Sequence, residues 1–311
     1  MGAILDLTLP FFALIGCGWA AAKLRVFPAE GLGGLNAFVW YFALPCLIFR
    51  ALALRPLAEI LDLPFIAAWA LGGWAVYLAV ALLGRLLFRA PAAVALLQGQ
   101  GAELSNIGYM GLPLLIALYG EAAAVPAVLA MLTDMVLVQT PTMALLEVAT
   151  ARGGRPAAVA ARVLKGFLAN PLVLAVAAGG RVAGLAAPLP EPVANFTEIL
   201  GRAAGPAALF GIGAKLAGQR VADGLAEVGL IAAGKLLLHP FAIFLAMSLA
   251  LGPAHPRVAV AVLLAALPIG GNLFVVAQSF GVYAARASAA VLISTLFGVL
   301  SFPLFAAWLA G

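Results

Sequence analysis

FIAAWALGGWAVYLAVALL, from Phe65 to Leu83, contains no charged residue. A helix of about 20 residues crosses the hydrocarbon core of a bilayer, so this stretch is long enough to span a membrane. Val258 to Val276 is a second run of the same kind. Backbone groups in lipid must find hydrogen-bond partners within their own segment, as they do in an α-helix. The two stretches therefore predict an all-α integral membrane protein.

Composition supports this interpretation. Hydrophobic residues make up 65% of the 311 residues and charged residues 9%, whereas a soluble domain carries about 25% charged residues. The net charge of +5 is then expected to reflect membrane topology rather than nucleic-acid binding. Cys17 and Cys46 fall in apolar stretches, where cysteine packs as a small apolar residue. His239 and His255 have no metal ligand at a suitable spacing, so we expect no metal and no cofactor.

The apolar stretches predict ten membrane spans joined by short loops, without a soluble domain. Pro, Gly and charged residues concentrate in the loops, as is typical of turns. The first span lacks the basic start and the cleavage site of a signal sequence, so we expect it to be retained. The predicted spans cover residues 4–22, 35–54, 64–88, 94–119, 123–148, 160–182, 194–218, 226–250, 257–280 and 284–309.

Basic residues predict the orientation in the membrane. Cytoplasmic loops carry an excess of Lys and Arg, and most of the 17 basic residues fall on one side of the ten spans. That side is predicted to be cytoplasmic, which puts both termini outside the cytoplasm in a multi-pass protein of the inner (cytoplasmic) membrane. The cytoplasmic set is Lys23, Arg25, Arg85, Arg89, Arg152, Arg155, Arg162, Lys165, Lys215, Arg220 and Arg286, and the opposite set is Arg50, Arg55, Arg181 and Arg257.

Several residues recur at a constant offset of 161 positions. Five spans separate matching points, an odd number, so the second half must be inserted upside down relative to the first. We predict two inverted five-helix repeats, residues 1–150 (spans 1–5) and 160–311 (spans 6–10), an arrangement found in many secondary transporters. The matching pairs are Pro10 with Pro171, Pro45 with Pro206, Phe49 with Phe210 and Gly120 with Gly281, whereas Pro141 and Pro303 miss by one residue.

Spans 4 and 9 are interrupted at corresponding positions. Span 4 reads QGQGAELSNIGYMGLPLL (Gln98 to Leu115) and span 9 reads AALPIGGNLFVVAQ (Ala265 to Gln278). Either these are simple proline kinks, or the backbone unwinds, which is tolerated only where protein buries it or where it lines a wet cavity. Paired breaks indicate a transporter binding site, and the N–H groups of half-helices suit a carboxylate. The interrupting residues are Gly108, Gly111 and Pro113 in span 4, and Pro268, Gly270 and Gly271 in span 9.

An asparagine stands beside each interruption, Asn106 in span 4 and Asn272 in span 9. Each amide either binds a ligand carboxylate or ties up backbone that the break sets free. The predicted substrate-binding residues are these two asparagines and a set of prolines and glycines around the breaks and in span 2: Pro45, Gly108, Gly111, Pro113, Pro268 and Gly270.

Ionisable residues inside the predicted spans are the candidates for ion or proton coupling: Glu103, Asp134, Lys235 and His239. An unpaired charge at the bilayer centre costs about 2.5–3.5 kcal/mol on insertion scales, so such residues are functional candidates. For Asp134 and Lys235 two interpretations stay open, an ion pair that locks two helices together or a role in coupling. Glu103 is a further candidate proton or cation carrier. His239 lies one turn after Lys235 on the same helical face.

Stretches along nearly the whole chain resemble the auxin efflux carrier family of membrane transporters, which includes the plant PIN-type carriers and many bacterial proteins. The short link from Arg152 to Arg162 is similar to the compact bacterial form. The stretches are LNAFVWYFALPCLIF (35–49), SNIGYMGLPLLIALYG (105–120), NPLVLAVAAG (170–179), KLLLHPF (235–241), ALPIGGNLFVVAQSFGV (266–282) and ASAAVLISTLFGVLSFPL (287–304).

The resemblance implies a ten-helix fold similar to sodium/proton antiporters and bile-acid symporters. Spans 1, 2, 6 and 7 would form a scaffold that dimerises, and spans 3–5 and 8–10 a transport domain that moves as an elevator, with broken spans 4 and 9 crossing. It also implies that Asn106, seven residues before Pro113, contacts the substrate carboxylate, and that Pro268 is the second crossover proline. Asn272 has no counterpart in the plant pattern.

The expected function is secondary transport of a small organic anion, an auxin-like monocarboxylate or a dicarboxylate such as malate or malonate. Expected partners are that anion, membrane lipids and a second copy of the chain, and coupling to protons or to sodium stays open. A sodium-coupled bile-acid-type symporter is the alternative, against which SNIGYMGLP and ALPIGGN argue. A gated channel needs a continuous polar lining. An intramembrane enzyme needs a nucleophile with a base or a metal site, and neither motif occurs, so we expect no enzyme.

Overall fold

The computed structural model describes residues 2–60, 62–150, 165–186, 188–218 and 224–310. Within these ranges the chain is helical and forms no strand, and an isolated antiparallel bridge joins Ser105 to Ile269. The predicted all-α class is therefore confirmed. The link from Arg152 to Arg162, the beginning of the sixth predicted span and Arg220 lie outside the described residues.

The helices follow one another with short connections. In chain order they are α1 (Gly2–Lys23), α2 (Gly31–Phe38), α3 (Leu44–Ala53), α4 (Leu57–Ile60), α5 (Leu63–Phe88), α6 (Ala92–Glu103), α7 (Leu112–Tyr119), α8 (Ala124–Thr133), α9 (Thr140–Ala149), α10 (Pro171–Leu185), α11 (Glu191–Ala217), α12 (Leu225–Ala233), α13 (His239–Leu251), α14 (Pro256–Ala265), α15 (Asn272–Phe280) and α16 (Ala284–Ala310).

Several helical stretches are long and apolar enough to cross a membrane. Among the described residues there are five: Gly31–Ala53, Leu63–Phe88, Ile107–Ala149, Leu225–Leu251 and Ala284–Leu309. Shorter apolar helices cover Leu9–Lys23, Pro171–Leu185 and Pro256–Ala265. The chain is therefore a multi-pass membrane protein, and the count of ten spans in two inverted repeats stays a prediction.

Four prolines within helical stretches follow π-helical turns, whereas Pro10, Pro206 and Pro303 lie in uninterrupted α-helix; the turns are Val39–Ala43, Ile107–Gly111, Asp134–Gln139 and Gly234–Leu238. Each turn ends two residues before a proline, namely Pro45, Pro113, Pro141 and Pro240. Proline has no N–H and its ring crowds the carbonyl of the preceding turn, so the helix widens there rather than ending. Asp134 and Lys235 each lie in such a turn. The prolines thus determine the local backbone at two of the buried ionisable residues.

The chain divides into two compact units. Of the described residues, unit 1 takes those within Met1–Leu63, Gly108–Leu129 and Lys165–Gly218, and unit 2 those within Pro64–Ile107, Ala130–Leu164 and Gln219–Gly311. The predicted inverted repeats divide the sequence at a different place, and they and the division into scaffold and transport domains stay predictions.

Glycines let α1 and α11 approach closely within unit 1. A Cβ at Gly18 would collide with the carbonyl of Phe210, and one at Gly213 with the carbonyl of Ile15. Gly179 likewise faces the carbonyl of Phe49. Small residues serve such close helix contacts in lipid. Gly18 and Gly179 therefore permit close helix contacts within one chain.

The core of unit 2 surrounds the two breaks. Leu104 and Ile269, one from each break, are buried with Leu97 and Leu273 in a single apolar cluster. Because this cluster holds both breaks from one side, their backbones are fixed by packing as well as by hydrogen bonds.

Candidate binding site at the paired breaks

Both predicted interruptions are present, and in unit 2 they pair with each other. Helix α6 ends at Glu103, and α14 ends at Ala265. Between the breaks, Asn106 N–H donates to the carbonyl of Pro268 at 3.0 Å, and Gly270 N–H donates to the carbonyl of Leu104 at 3.1 Å. Backbone groups that leave a helix at membrane depth need other partners. Here each break supplies them to the other.

The first break lies before the glycines and the proline that predicted it. Leu104 has ψ 108° and ends α6, whereas Gly108 and Gly111 lie in a π-helical turn. Pro113 follows in the first turn of α7, directly after this π-helical turn. The second break, by contrast, contains Pro268 and Gly270 as predicted. Proline position therefore locates one break correctly and the other only to within about two helical turns.

Gly270 lets the two breaks come together. A Cβ at this position would lie 3.2 Å from the carbonyl oxygen of Ser105. That distance is tighter than ordinary contact, so a side chain here would push the paired segments apart. The candidate role of Gly270 is thus a close backbone approach.

The two asparagines stand at the beginnings of the helical segments that follow the breaks. Asn106 directly precedes the π-helical turn and is half-buried, and Asn272 is the first residue of α15 and is exposed. In the described part of the chain, neither side-chain amide makes a hydrogen bond. Their amides are therefore free to bind another molecule, and substrate contact stays a prediction.

The remaining substrate-binding candidates belong to unit 1: Pro45, Gly108, Gly111 and Pro113. Pro45 lies in the first turn of α3 and is half-buried. Pro113 lines a cavity of about 440 Å³ within unit 1 and packs where Gly205 has no side chain. The structure thus brings Asn106, Pro268 and Gly270 together.

A buried lysine holds the first break. Lys235 is fully buried, and its Nζ donates to the carbonyl of Glu103 at 3.0 Å, to Ser105 Oγ and to His239 Nδ1 at 2.7 Å. An ammonium group has three N–H donors, so these three acceptors use all of them. With Lys235 as an ammonium group, Nδ1 of a neutral His239 ring is the acceptor, and the ring proton is then on Nε2. Lys235 therefore binds backbone and side chain at the break.

Asp134 is buried beside this lysine but is bonded to a tryptophan. Trp69 Nε1 donates to Asp134 Oδ1 at 2.5 Å, and the Trp69 ring meets the His239 ring edge-on at 5.7 Å. Among the described residues, no donor reaches Asp134 Oδ2. The described hydrogen bonds and ion pairs do not join Asp134 to Lys235 directly, since Lys235 bonds the break and His239, but the two charges attract each other.

Glu103 is the most unusual member of the group. It is fully buried, and within the described ranges neither of its carboxylate oxygens accepts a hydrogen bond. Its carboxyl group lies within hydrogen-bonding reach of that of Asp134. A Cβ at Gly73 would lie 3.3 Å from Glu103 Oε1, so α5 closes one side of the carboxyl group. We name Glu103, Asp134, Lys235 and His239 the buried ionisable cluster.

Sequence reasoning missed three contributors to this region. Trp69 supplies the hydrogen bond to Asp134, Ser105 accepts from Lys235, and Ser294 Oγ accepts from the N–H of Ile269 at 3.1 Å. Ser105 adjoins Asn106 inside the break, which was a usable signal. The sequence gives no such signal for Trp69 or Ser294, because an indole or a hydroxyl in an apolar helix usually forms its hydrogen bond with nearby backbone or side-chain groups.

A second charged group lies in unit 1. A spacing of four residues predicts that Glu198 and Arg202 pair, and they do. Arg50 of α3 joins them, with Nη2 3.0 Å from Glu198 Oε2 and Nη1 donating to the carbonyl of Ala194 at 3.1 Å. One carboxylate thus binds two guanidinium groups. We name Arg50, Glu198 and Arg202 the arginine triad.

The chain is similar to known membrane transport proteins over nearly its whole length. Residues 3–306 match the family model described as "Membrane transport protein". A protein of Rhizobium meliloti (strain 1021), named "Putative malonate transporter", is 38% identical over 301 residues, which are 96% of this chain and 93% of that protein. The paired breaks and the buried ionisable cluster lie within the matched residues.

Proposed function

The chain belongs to the membrane transport protein family, the auxin efflux carriers, and from this premise we propose that it is a secondary transporter of a small organic anion. It is a multi-pass membrane protein and a transporter, not an enzyme. We propose the inner membrane as its location, with both termini outside the cytoplasm, as the distribution of basic residues predicts.

The observation that carries the proposal is the pairing of the two breaks. Because the freed backbone groups of Asn106 and Gly270 bond across the breaks, the side-chain amides of Asn106 and Asn272 are not needed to tie up backbone. That was the competing interpretation of both asparagines. Each amide stands at the beginning of a helical segment, where N–H groups and the helix dipole favour an anion. The substrate carboxylate is proposed to bind there.

For the substrate we propose a dicarboxylate such as malonate. The support is the relative whose name includes malonate and which is 38% identical over nearly the whole chain. An auxin-like monocarboxylate and malate stay as alternatives for the same site.

The proposed mechanism is an elevator of the inverted-repeat type. Spans 3–5 and 8–10 would move the anion against a scaffold of spans 1, 2, 6 and 7, which would form a homodimer in the lipid. The family resemblance supports this mechanism. A sodium-coupled symporter is the alternative, and a sodium requirement for uptake would favour it.

The test is binding and uptake by purified protein with Asn106 replaced. A hydrogen bond to a charged group is worth about 1.5–3 kcal/mol, so Asn106→Ala should weaken malonate binding roughly ten- to a hundredfold. Asn106→Asp should be worse, because it places a negative charge against the substrate. Calorimetry and vesicle uptake of radiolabelled malonate, malate and indole-3-acetate measure both effects.

The matched control is Asn195→Ala, since Asn195 is an exposed asparagine of α11 outside both breaks. It should bind and transport like the parent protein. If the parent transports one of these acids and both Asn106 variants transport it equally well, the anion binds elsewhere.

A further inference from the structure

The buried ionisable cluster of unit 2 contains acceptors without donors. Glu103 Oε1, Glu103 Oε2 and Asp134 Oδ2 are buried, and in the described part of the chain no N–H or O–H reaches them. A buried acceptor without a partner costs about 1–3 kcal/mol, and more when it is charged. The structure of this region is therefore incomplete as long as both groups are carboxylates.

Lys235 cannot supply the missing donors. Its three N–H bonds are directed at the Glu103 carbonyl, Ser105 Oγ and His239 Nδ1. The other titratable side chain that acts on Glu103 is Tyr77, whose hydroxyl oxygen accepts from Thr142 at 3.2 Å. His239 keeps its proton on Nε2, which has no acceptor among the described residues. Among the described residues, no further N–H or O–H donor is thus available to these carboxyl oxygens, although the Lys235 charge acts on both groups.

One proton pairs two of these three acceptors and also balances the charge of the cluster. An O–H on Glu103 directed at Asp134 Oδ2 turns two unpartnered acceptors into one hydrogen bond, since the two carboxyl groups lie within reach of each other. Without that proton, two carboxylates, one ammonium and a neutral imidazole have a net charge of about −1. With the proton, the net charge is zero. The neutral state is favoured because a buried charge must be compensated.

We propose that Glu103 and Asp134 share one proton and that this proton is transported together with the organic anion. The inference rests on the proposed function, because it names the coupling ion for the same transport cycle. An anion that crosses with a protonated pair carries one negative charge fewer through the membrane. Transport is then a symport of anion and proton.

Release of the proton is a simple ionisation. The O–H bond of Glu103 breaks, its electron pair stays on the carboxylate, and the proton passes to a water molecule. Gln100, one turn before Glu103 on α6, is fully buried with both amide atoms unbonded in the described chain. Buried polar groups of this kind bind ordered water, so we place the water that accepts the proton beside Gln100 as part of the proposal. Once deprotonated, the cluster has an uncompensated charge until a proton returns.

Glu103→Gln tests the proposal because it keeps the size of the side chain and a hydrogen-bond donor at this position. The amide N–H₂ of glutamine still donates to Asp134, and the net charge of the cluster is zero. The variant should therefore fold, and its affinity for malonate should stay within about threefold of that of the parent. That difference is smaller than the effect of losing a hydrogen bond to a charged group. It has no proton to exchange. The control is Glu191→Gln, which changes an exposed carboxylate in the first turn of α11.

The first measurement is uptake of radiolabelled malonate into proteoliposomes with an acidic exterior, with the membrane potential held at zero by potassium and valinomycin. For one proton per anion, each pH unit supports about a tenfold accumulation. The parent and Glu191→Gln should accumulate malonate, whereas Glu103→Gln should only equilibrate it. Accumulation by Glu103→Gln equal to that of the parent overturns the proposal, as does accumulation by the parent that follows a sodium gradient instead.

The second measurement does not depend on transport. Infrared spectra of the purified protein at neutral pH should contain the C=O band of a buried protonated carboxyl group, shifted by H/D exchange. The band should be lost in Glu103→Gln and in Asp134→Asn and kept in Glu191→Gln. If the parent lacks the band, the shared proton does not exist. If the band is present but no carboxylate binds or is transported, the proposed function fails while the proton site stands.

Discussion

The arginine triad of unit 1 and the buried ionisable cluster of unit 2 have opposite arrangements. In the triad, Glu198 binds two guanidinium groups, and the side chains of Arg50 and Glu198 are 24% and 31% exposed. In the cluster, all four residues are buried, yet both carboxyl groups keep acceptors that no described donor reaches. A group that only joins helices satisfies its members. In the cluster, the acceptors that remain are the place where we propose the shared proton.

The two groups also differ in the stability that is lost when one charged partner is removed. Charges that keep contact with water lose little when a partner is removed, because solvent replaces the partner. Buried charges lose much more, since no solvent compensates the charge left behind. Substitutions in the two groups should therefore differ in stability by several kcal/mol.

Lys235→Met should have the largest effect. It removes the ammonium that bonds the Glu103 carbonyl and Ser105 at the break, and it leaves the carboxyl pair without compensating charge. Breaking a buried pair costs about 3–5 kcal/mol. Thermal unfolding in mild detergent measures the loss, and Lys165→Met, at an exposed lysine, is the control. Adding Asp134→Asn should restore part of the stability. If Lys235→Met is as stable as the parent, the buried ionisable cluster does not lose more stability than the arginine triad, which contradicts the expectation.

Trp69→Phe should follow. It keeps an aromatic ring beside His239 but loses the donor to Asp134 Oδ1. A hydrogen bond to a charged group contributes about 1.5–3 kcal/mol. The control is Trp74→Phe, which loses a bond of 2.9 Å to the carbonyl of Leu137 and should cost about 0.5–1.5 kcal/mol because that acceptor is neutral. A larger loss in Trp74→Phe, measured in the same unfolding assay, would contradict a charged Asp134.

Gly73→Ala should have a smaller effect on stability and a specific effect on coupling. Its Cβ would lie 3.2 Å from Glu103 Cγ and 3.3 Å from Oε1, so the carboxyl group must shift. Overpacking of this size costs about 1 kcal/mol. The pH dependence of malonate uptake should change, whereas Gly229→Ala, with open space around it, should leave it as in the parent. An unchanged pH profile in Gly73→Ala would mean that the position of Glu103 is not important for coupling.

Arg202→Gln should have the smallest effect. The Arg202 side chain is 80% exposed, and Glu198 keeps its partner Arg50. Exposed ion pairs contribute about 0.2–1 kcal/mol, so unfolding should change by less than 1 kcal/mol or so and uptake should not change. Loss of transport in this variant would show that the triad does more than join α3 to α11.

Much of the site could be predicted from the sequence, because rare residues in an apolar chain stand out. Pro268 and Gly270 located the second break, and Glu103, Asp134, Lys235 and His239 were recognised as ionisable residues in membrane spans. The contacts among them could not be predicted. Their opposite charges favour an ion pair between Asp134 and Lys235. Instead, Trp69 donates a hydrogen bond to Asp134, and Lys235 donates to the Glu103 carbonyl at the break. Opposite charge gives no information about which competing acceptor is closer.

The class of the protein was determined by the sequence alone. Membrane insertion depends on the summed hydrophobicity of about 20 consecutive residues, which is a local property. Which acceptors remain unsatisfied was decided only by the tertiary structure. Lys235 and the Glu103 carbonyl are 132 positions apart, and the paired breaks come from different halves of the chain. Hydrogen bonds depend on distances within a few tenths of an ångström, and for residues so far apart in sequence only packing determines those distances.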